Sequence, residues 1–189
     1  MGALIRSGAR QVATAGPIEI FAEGQQYLTF SVSGESFAIP ISAIKEIIEY
    51  RAPTDVPMMP PYIRGVINLR GRVVPVIDLS VRFERAKGEV SKRTCIVILE
   101  ITHEGEQQDI SVVVDAVSAV VDIVGADIEP PPKFGARLRA DFISGMGKIG
   151  EQFVIVLNVD RVLSIEELTM LDGVGESEML ALAAPAVQA

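Results

Sequence analysis

Tyr62-Ile-Arg-Gly-Val-Ile-Asn-Leu-Arg-Gly-Arg-Val-Val-Pro-Val-Ile-Asp-Leu-Ser80 decides the reading of this chain, because Phe142-Ile-Ser-Gly-Met-Gly-Lys-Ile-Gly-Glu-Gln-Phe-Val-Ile-Val-Leu-Asn-Val-Asp160 repeats it 80 residues later. Ile63, Gly65, Val74 and Val76 recur identically as Ile143, Gly145, Val154 and Val156. Tyr62, Val66, Leu69, Val73, Ile77, Asp78 and Leu79 recur conservatively as Phe142, Met146, Ile149, Phe153, Leu157, Asn158 and Val159. The apolar skeleton is kept, and the polar decoration is not: Arg64, Asn68 and Arg70 correspond to Ser144, Lys148 and Gly150. Two halves therefore share a fold, and function is to be sought where they differ.

A second matching segment aligns Ile41, Ala43, Ile44, Ile47 and Ile48 with Val114, Ala116, Val117, Val120 and Val121. Its offset of 73 differs from 80 by seven residues, placed within or near the proline-rich piece Ile128-Glu-Pro-Pro-Pro-Lys-Phe134. Self-similarity at this scale is a stronger guide to architecture than local propensity. Two copies do not make a solenoid, so two related subdomains packed together are expected. A half of about 60 residues would be marginal alone, which implies a shared or tightly packed core.

Composition narrows the function. The chain has 25 Asp and Glu against 17 Lys and Arg, a formal net charge of −8. That charge repels phosphate backbones, and no basic stripe with interleaved aromatics is present, which argues against nucleic-acid binding. The single cysteine, Cys95, excludes an intramolecular disulfide and lies in the apolar run Thr94–Leu99, where a buried inert thiol is expected. The apolar stretch from Ser111 to Ile128 carries Asp115, Asp122 and Asp127. It reads as buried strand and turn rather than a membrane span. The first 17 residues have no continuous apolar core, and the Met-Gly start lacks a hydroxyl at Arg6, so neither a signal peptide nor a myristoylation site is expected. A cytoplasmic protein with no direct membrane insertion follows as the expectation.

Along the chain, residues 1–24 read as a mobile leader. Tyr27–Val32 and Ser36–Ile39, joined at Ser33-Gly34, signal a hairpin. Ile41 to Glu49 shows helical spacing of its isoleucines, short enough to be a single helical turn running into a strand. After the prolines at 53, 57, 60 and 61 comes a second hairpin with Arg70-Gly71 at its turn. The charged piece Arg82–Arg93 separates the halves. The second half replays the order: strand 94–101, turn at Glu104-Gly105, strand 109–114, a short helical piece, prolines, and a hairpin turning at Gly150. Four glycine-marked hairpins predict a mostly β protein of two small antiparallel barrels. Ser164-Ile-Glu-Glu167 is a capping box that should start a C-terminal helix, followed by a loose Ala-rich tail.

The catalytic inventory is poor. His103 is the only histidine and lies in a polar turn; there is no G-x-S-x-G elbow, no complete phosphate loop and no dinucleotide fingerprint. Asp115, Asp122 and Asp127 do not have calcium-loop spacing, so neither a metal nor another cofactor is expected. Binding remains. Arg70 at a hairpin tip and Glu46 beside the isoleucine face are either two solvated charges or an ion pair edging an apolar groove for a partner helix. Chemistry alone leaves both readings standing.

The segment Tyr62–Leu79 resembles the most characteristic stretch of CheW-type chemotaxis coupling proteins. The resemblance continues through Tyr27–Phe30, Ile39–Ile47, Val112–Val117, Ile128–Phe134 and Phe142–Val162. It implies two five-stranded, SH3-like antiparallel barrels related by duplication, with short helices. The corresponding organisation is a CheW-like domain over 25–168, with subdomains at about 25–82 and 94–162, and a helix and tail over 163–189. It implies a non-catalytic scaffold joining transmembrane chemoreceptors to the histidine kinase CheA, and recruited to membrane receptor arrays. By position, the receptor's helical hairpin tip would meet Ile44, Glu46, Ile47 and Arg70, with Cys95 and Val117 opposite. The kinase regulatory domain, which has the same fold, would meet Phe134 and the neighbouring Glu129. The family often has a basic residue near that point, so Glu129 implies a compensating change in the partner. A receiver-fused relative or the kinase itself does not fit within 189 residues, so a stand-alone coupling protein is expected. The alternatives are a coupling protein of a non-flagellar pathway such as pilus motility and, from another class, a small-molecule sensor or enzyme on the same fold.

Overall fold

The structure, a computed structural model, describes residues 24–103, 105–131 and 140–163. The leader, Phe134, the capping box and the expected C-terminal helix lie outside the described residues. Eleven strands and two one-turn helices follow in the order β1 (Gln25–Val32), β2 (Glu35–Pro40), β3 (Ile44–Glu49), β4 (Ile63–Leu69), β5 (Arg72–Asp78), α1 (Leu79–Arg82), β6 (Cys95–His103), β7 (Glu106–Val114), β8 (Ala116–Ile123), β9 (Ile128–Glu129), β10 (Ile143–Ile149), β11 (Gln152–Leu157) and α2 (Val159–Val162). The expected hairpins are present at Ser33-Gly34, Arg70-Gly71, Gly105 and Gly150, each glycine at positive φ.

The strands form two sheets. One has five strands in the order β3-β6-β7-β5-β4, the other six in the order β8-β1-β2-β11-β10-β9. The protein is therefore mostly β with few helices, as expected. Neither sheet is closed by hydrogen bonds into a barrel, and one is six-stranded rather than five. Nor are they purely antiparallel: β5 pairs with β7, and β11 with β2, in parallel. Those two parallel pairings, with β1 against β8, mix the halves, so each sheet contains strands from both.

The sequence repeat has matching registers in two hairpins. In β4–β5, Ile63 faces Ile77, Gly65 faces Val76, and the pairing slips between them; in β10–β11, Ile143 faces Leu157 and Gly145 faces Val156 with the same slip. Asp78 caps α1 by accepting from the amides of Ser80 and Val81, and Asn158 caps α2 by accepting from that of Arg161. A short polar side chain at the N-cap satisfies amides that a one-turn helix leaves unpaired.

Alternation along the strands gives each sheet two apolar faces. Ile67, Val74, Val76, Ile96, Ile98 and Val113 form a core within the five-stranded sheet, and Tyr27, Ala38, Ile123, Val154 and Val156 one within the other. The opposite faces meet in a larger central core that includes Leu28, Phe30, Phe37, Ile39, Val97, Leu99 and Val112. Phe30, Phe37, Phe83 and Phe142 run through it with successive ring centroids 6.1, 5.2 and 6.4 Å apart. Each such contact adds about 0.5–1.5 kcal/mol beyond burial. Clearing both faces of Ile96–Leu99 in β6 and of Ile110–Val114 in β7 from water explains their nearly unbroken apolar runs.

One expectation holds in its turn-into-strand form, and its counterpart in the second half needs correction. Ile41–Ala43 is a 3-10 turn leading into β3, the turn-into-strand alternative, with little helix in it. The short helical piece expected after strand 109–114 is instead the eight-residue strand β8. The cause is the same in both places. The β3–β6 register slips between Ile44 and Glu46, leaving Lys45 as the extra, bulged residue, and the β8–β1 register slips at Ser118. A bulge reverses the phase of alternation. It puts Ile44 and Ile47, and likewise Val117 and Val120, on one face at a spacing of three, which imitates a helix.

Candidate functional site

The polar residues that distinguish the halves separate into structural and exposed groups. Arg64 and Asp78 form a buried ion pair: Nη2 and Nε of Arg64 lie 2.6 and 2.7 Å from Oδ2 of Asp78, with side chains 6% and 2% exposed. Arg64 also donates to the Tyr50 hydroxyl and the Gly88 carbonyl, which ties the connection between the halves to α1. Its counterparts are Ser144 and Asn158, so charge was exchanged for neutral residues on both sides of this contact. Asn68 accepts from the Gly71 amide at 2.8 Å, and Arg51 donates to the Asn68 carbonyl. Both Arg64 and Asn68 therefore have structural duties.

Arg70 is different. It projects from the β4–β5 tip with its side chain 78% exposed, and its Nη2 lies 3.0 and 3.1 Å from the two carboxylate oxygens of Glu46. β3 and β4 are the two edges of the five-stranded sheet, so this pair spans its open seam, alongside the Thr54–Val66 backbone bridge. Both central turn residues have positive φ, Arg70 at 51° and Gly71 at 85°, the type I′ pattern. In the second half only the first turn position, Gly150, has positive φ, the type II′ pattern. A non-glycine residue in that region costs roughly 1–2 kcal/mol. The first half accepts that cost and thereby places a guanidinium at the tip, where the second half has no side chain.

Of the apolar candidates, Ile44 and Ile47 lie on β3 with Glu46, Cys95 on the neighbouring β6 and Val117 on β8. Residues directly opposite across a strand pair share a face. Ile44 faces Leu99, Ile47 faces Val97 and Glu49 faces Cys95, so Ile44, Ile47 and Cys95 point to the central-core side of β3 and β6. Ile44, Cys95 and Val117 are partly buried against that core, Val117 from β8 of the other sheet, opposite Phe30. Ile47 is 41% exposed. Cys95 is a partly exposed free thiol whose Sγ donates to the Arg93 carbonyl at 3.3 Å, so the expected full burial is only partial. Glu46, by contrast, faces Ile98 and lies toward the interior of the five-stranded sheet.

One residue was missed. Val120, opposite Leu28 on the same central-core face of β8, is 48% exposed and is the repeat counterpart of Ile47. The alignment of the halves already paired the two, and that match was the signal. Glu129 is exposed on β9, at the opposite edge of the six-stranded sheet from β8 in the pairing order. It faces Met146. The described candidates are thus aliphatic side chains on both sheets, partly buried against the central core or exposed beside it, and a surface ion pair on the five-stranded sheet. Among the described residues, no group of three or more His, Cys, Asp or Glu could hold a metal ion, and no helix is long and apolar enough to cross a membrane.

Comparison with known proteins identifies the family. The family model described as a CheW-like domain matches residues 26–167. The chain is 34% identical over 154 residues to the chemotaxis protein CheW of Klebsiella aerogenes, spanning 82% of this chain and 90% of that protein. It is 38% identical over 146 residues to the chemotaxis protein CheW of Bacillus subtilis, spanning 76% and 89%. The crystal structure of the scaffolding protein TtCheW from Thermoanaerobacter tengcongensis superposes with a TM-score of 0.68 at 32% identity, covering 76% of this chain and 95% of that one. With the register-matched hairpins and paired bulges, these likenesses establish that the chain belongs to the CheW-like family of chemotaxis scaffolding proteins.

Proposed function

We propose that the protein is a non-enzymatic scaffold that couples transmembrane chemoreceptors to the histidine kinase CheA. The receptor's helical hairpin tip lies along the rim formed by Ile44, Ile47, Cys95 and Val117, with Val120 extending it, and meets the Arg70–Glu46 pair at its end. The kinase regulatory domain takes a separate surface that includes Glu129 and Phe134. The finer architecture in this reading is a pair of barrel-like subdomains, the first fastened across its seam by Arg70 and Glu46.

The observation that carries the reading is the pairing of Arg70 and Glu46 beside an exposed Ile47. An amphipathic helix recognises such a surface by laying apolar residues on the aliphatic rim and polar ones on the charges. Exposed ion pairs contribute only about 0–1 kcal/mol to folding, so a strained turn that displays one is better explained by recognition than by stability. A rigid body holding two partners on different surfaces passes a receptor movement to the kinase as a changed interface, which requires contacts that differ between signalling states.

The test is co-sedimentation of purified CheA with receptor-containing membranes. With this protein present, the kinase is expected in the pellet; without it, in the supernatant. Kinase that stays in the supernatant in both cases contradicts the proposal.

A further inference from the structure

The bulges at Lys45 and Ser118 occupy equivalent places in the two halves but are held by different means. In the second half, the Thr29 hydroxyl donates to the Ala119 carbonyl at 2.9 Å and accepts from the Ala119 amide at 3.2 Å, fixing the bulge from the neighbouring strand. In the first half, the bulged residue is itself charged. Lys45 Nζ lies 2.7 Å from Asp109 and 2.9 Å from Glu100, which face each other across β6 and β7. Asp109 is only 7% exposed and is also bonded by Arg72 at 2.9 Å. The hydrogen bond to Asp109, and then that to Glu100, raises the Lys45 pKa and so keeps the ammonium charged.

We propose that Lys45 is a positioning residue for the docking site: clamped by Asp109 and Glu100, it fixes the β3 bulge. The phase set by that bulge turns Glu46 toward Arg70 and Ile47 toward the rim. Arg72 stands two residues after Arg70, so the network also joins the β5 end of the turn to β3 through Asp109. Without the bulge, every residue after Lys45 would exchange faces, and Glu46 and Ile47 would trade environments. This inference rests on the docking reading above. It adds that recognition depends on a carboxylate too buried to touch a partner.

The test uses the full chain, a purified chemoreceptor cytoplasmic fragment, and amide exchange of the free protein. Lys45→Met and Asp109→Asn are expected to weaken receptor-fragment binding about tenfold, within the range seen for residues that act without contacting the ligand. Lys45→Arg should restore it. Amide exchange should accelerate across residues 44–48 and not across 117–121, which excludes general unfolding. Loss of binding in Lys45→Met without loss in Asp109→Asn would mean that Lys45 touches the receptor directly and would overturn the proposal. Wild-type binding in both variants, or unchanged exchange across 44–48, would overturn it as well. If Arg70→Ala binds like wild type, the docking reading fails, and the exchange pattern alone then decides whether the clamp holds the bulge.

Discussion

The hairpins β4–β5 and β10–β11 have the same register, the same slip beside the Gly65–Val76 and Gly145–Val156 pairs and the same polar cap on a one-turn helix. They differ in how they use charge. In the first, a buried Arg64–Asp78 pair anchors the connecting segment, and an exposed Arg70 crosses the sheet's seam to Glu46. In the second, Ser144, Asn158 and Gly150 leave these places neutral or bare. The two hairpins thus share one apolar framework, and the first alone carries both a structural anchor and the proposed recognition element. The two additions should respond differently to mutation, which gives the comparison its tests.

The largest effect is expected for Arg64→Ser, which puts the second half's residue into the first. It leaves the Asp78 carboxylate buried without its cation, a loss of about 3–5 kcal/mol. The double variant Arg64→Ser/Asp78→Asn reproduces the neutral arrangement and should recover most of that in urea unfolding. If the double variant is as unstable as the single one, the exchange of pair for neutral residues is not what relates the halves.

Next come the matched glycines. A Cβ on Gly65, at a φ of 129°, would lie 2.1 Å from the Thr54 carbonyl oxygen, whereas one on Gly145 would lie 2.5 Å from Ile128 Cγ2 and 2.9 Å from the Glu129 carbonyl oxygen. Gly65→Ala should cost on the order of 3 kcal/mol and Gly145→Ala about half that, since only Gly65 has a positive φ and its overlap with backbone is deeper. Equal losses in thermal unfolding would show that the Thr54–Val66 bridge relaxes freely.

A smaller effect is expected where the halves touch. Arg82 lies 4.6 Å from the Tyr62 ring centroid and 4.9 Å from that of Phe142, repeat counterparts of each other, and its Nε donates to the Val162 carbonyl. Its own counterpart is Val162, so Arg82→Val makes the site symmetric and should cost about 2 kcal/mol through lost cation–π and packing contacts. An unchanged unfolding midpoint would remove Arg82 from the account of how the sheets are joined. Smallest of all, Arg70→Ala should change stability by less than about 1 kcal/mol, because its ion pair is solvated and alanine, which keeps the Cβ, leaves the turn strain unchanged.

Much of this was legible before any coordinates. The repeat, all four glycine turns and the Asp78–Asn158 correspondence stand in the sequence, and so does the Arg70–Glu46 pair as one of two readings. What local pattern could not supply was which strands are neighbours. The parallel pairings of β5 with β7 and of β2 with β11 join segments far apart in the chain, and apolar alternation in a doubly buried strand is silent about its partner. Strand β8 was hidden for another reason, since the Ser118 bulge gave Val117 and Val120 a helical spacing. Arg64 and Arg70 stand alike in the repeat as charges of the first half, because sequence carries no burial. Only the 6% exposure of one side chain against 78% of the other separates the buried anchor from the proposed recognition element.

The central claim is that the charge displayed on one copy of a duplicated fold directs receptor docking. The most direct measurement is the affinity of the full chain for a chemoreceptor cytoplasmic fragment by calorimetry, comparing Arg70→Ala with Lys148→Ala, an exposed cation on the equivalent hairpin of the second half. Arg70→Ala should bind at least about tenfold more weakly with its melting temperature unchanged, as for other charged hot-spot residues, while Lys148→Ala binds like wild type. Wild-type affinity in Arg70→Ala, or an equal loss in both variants, would contradict the claim.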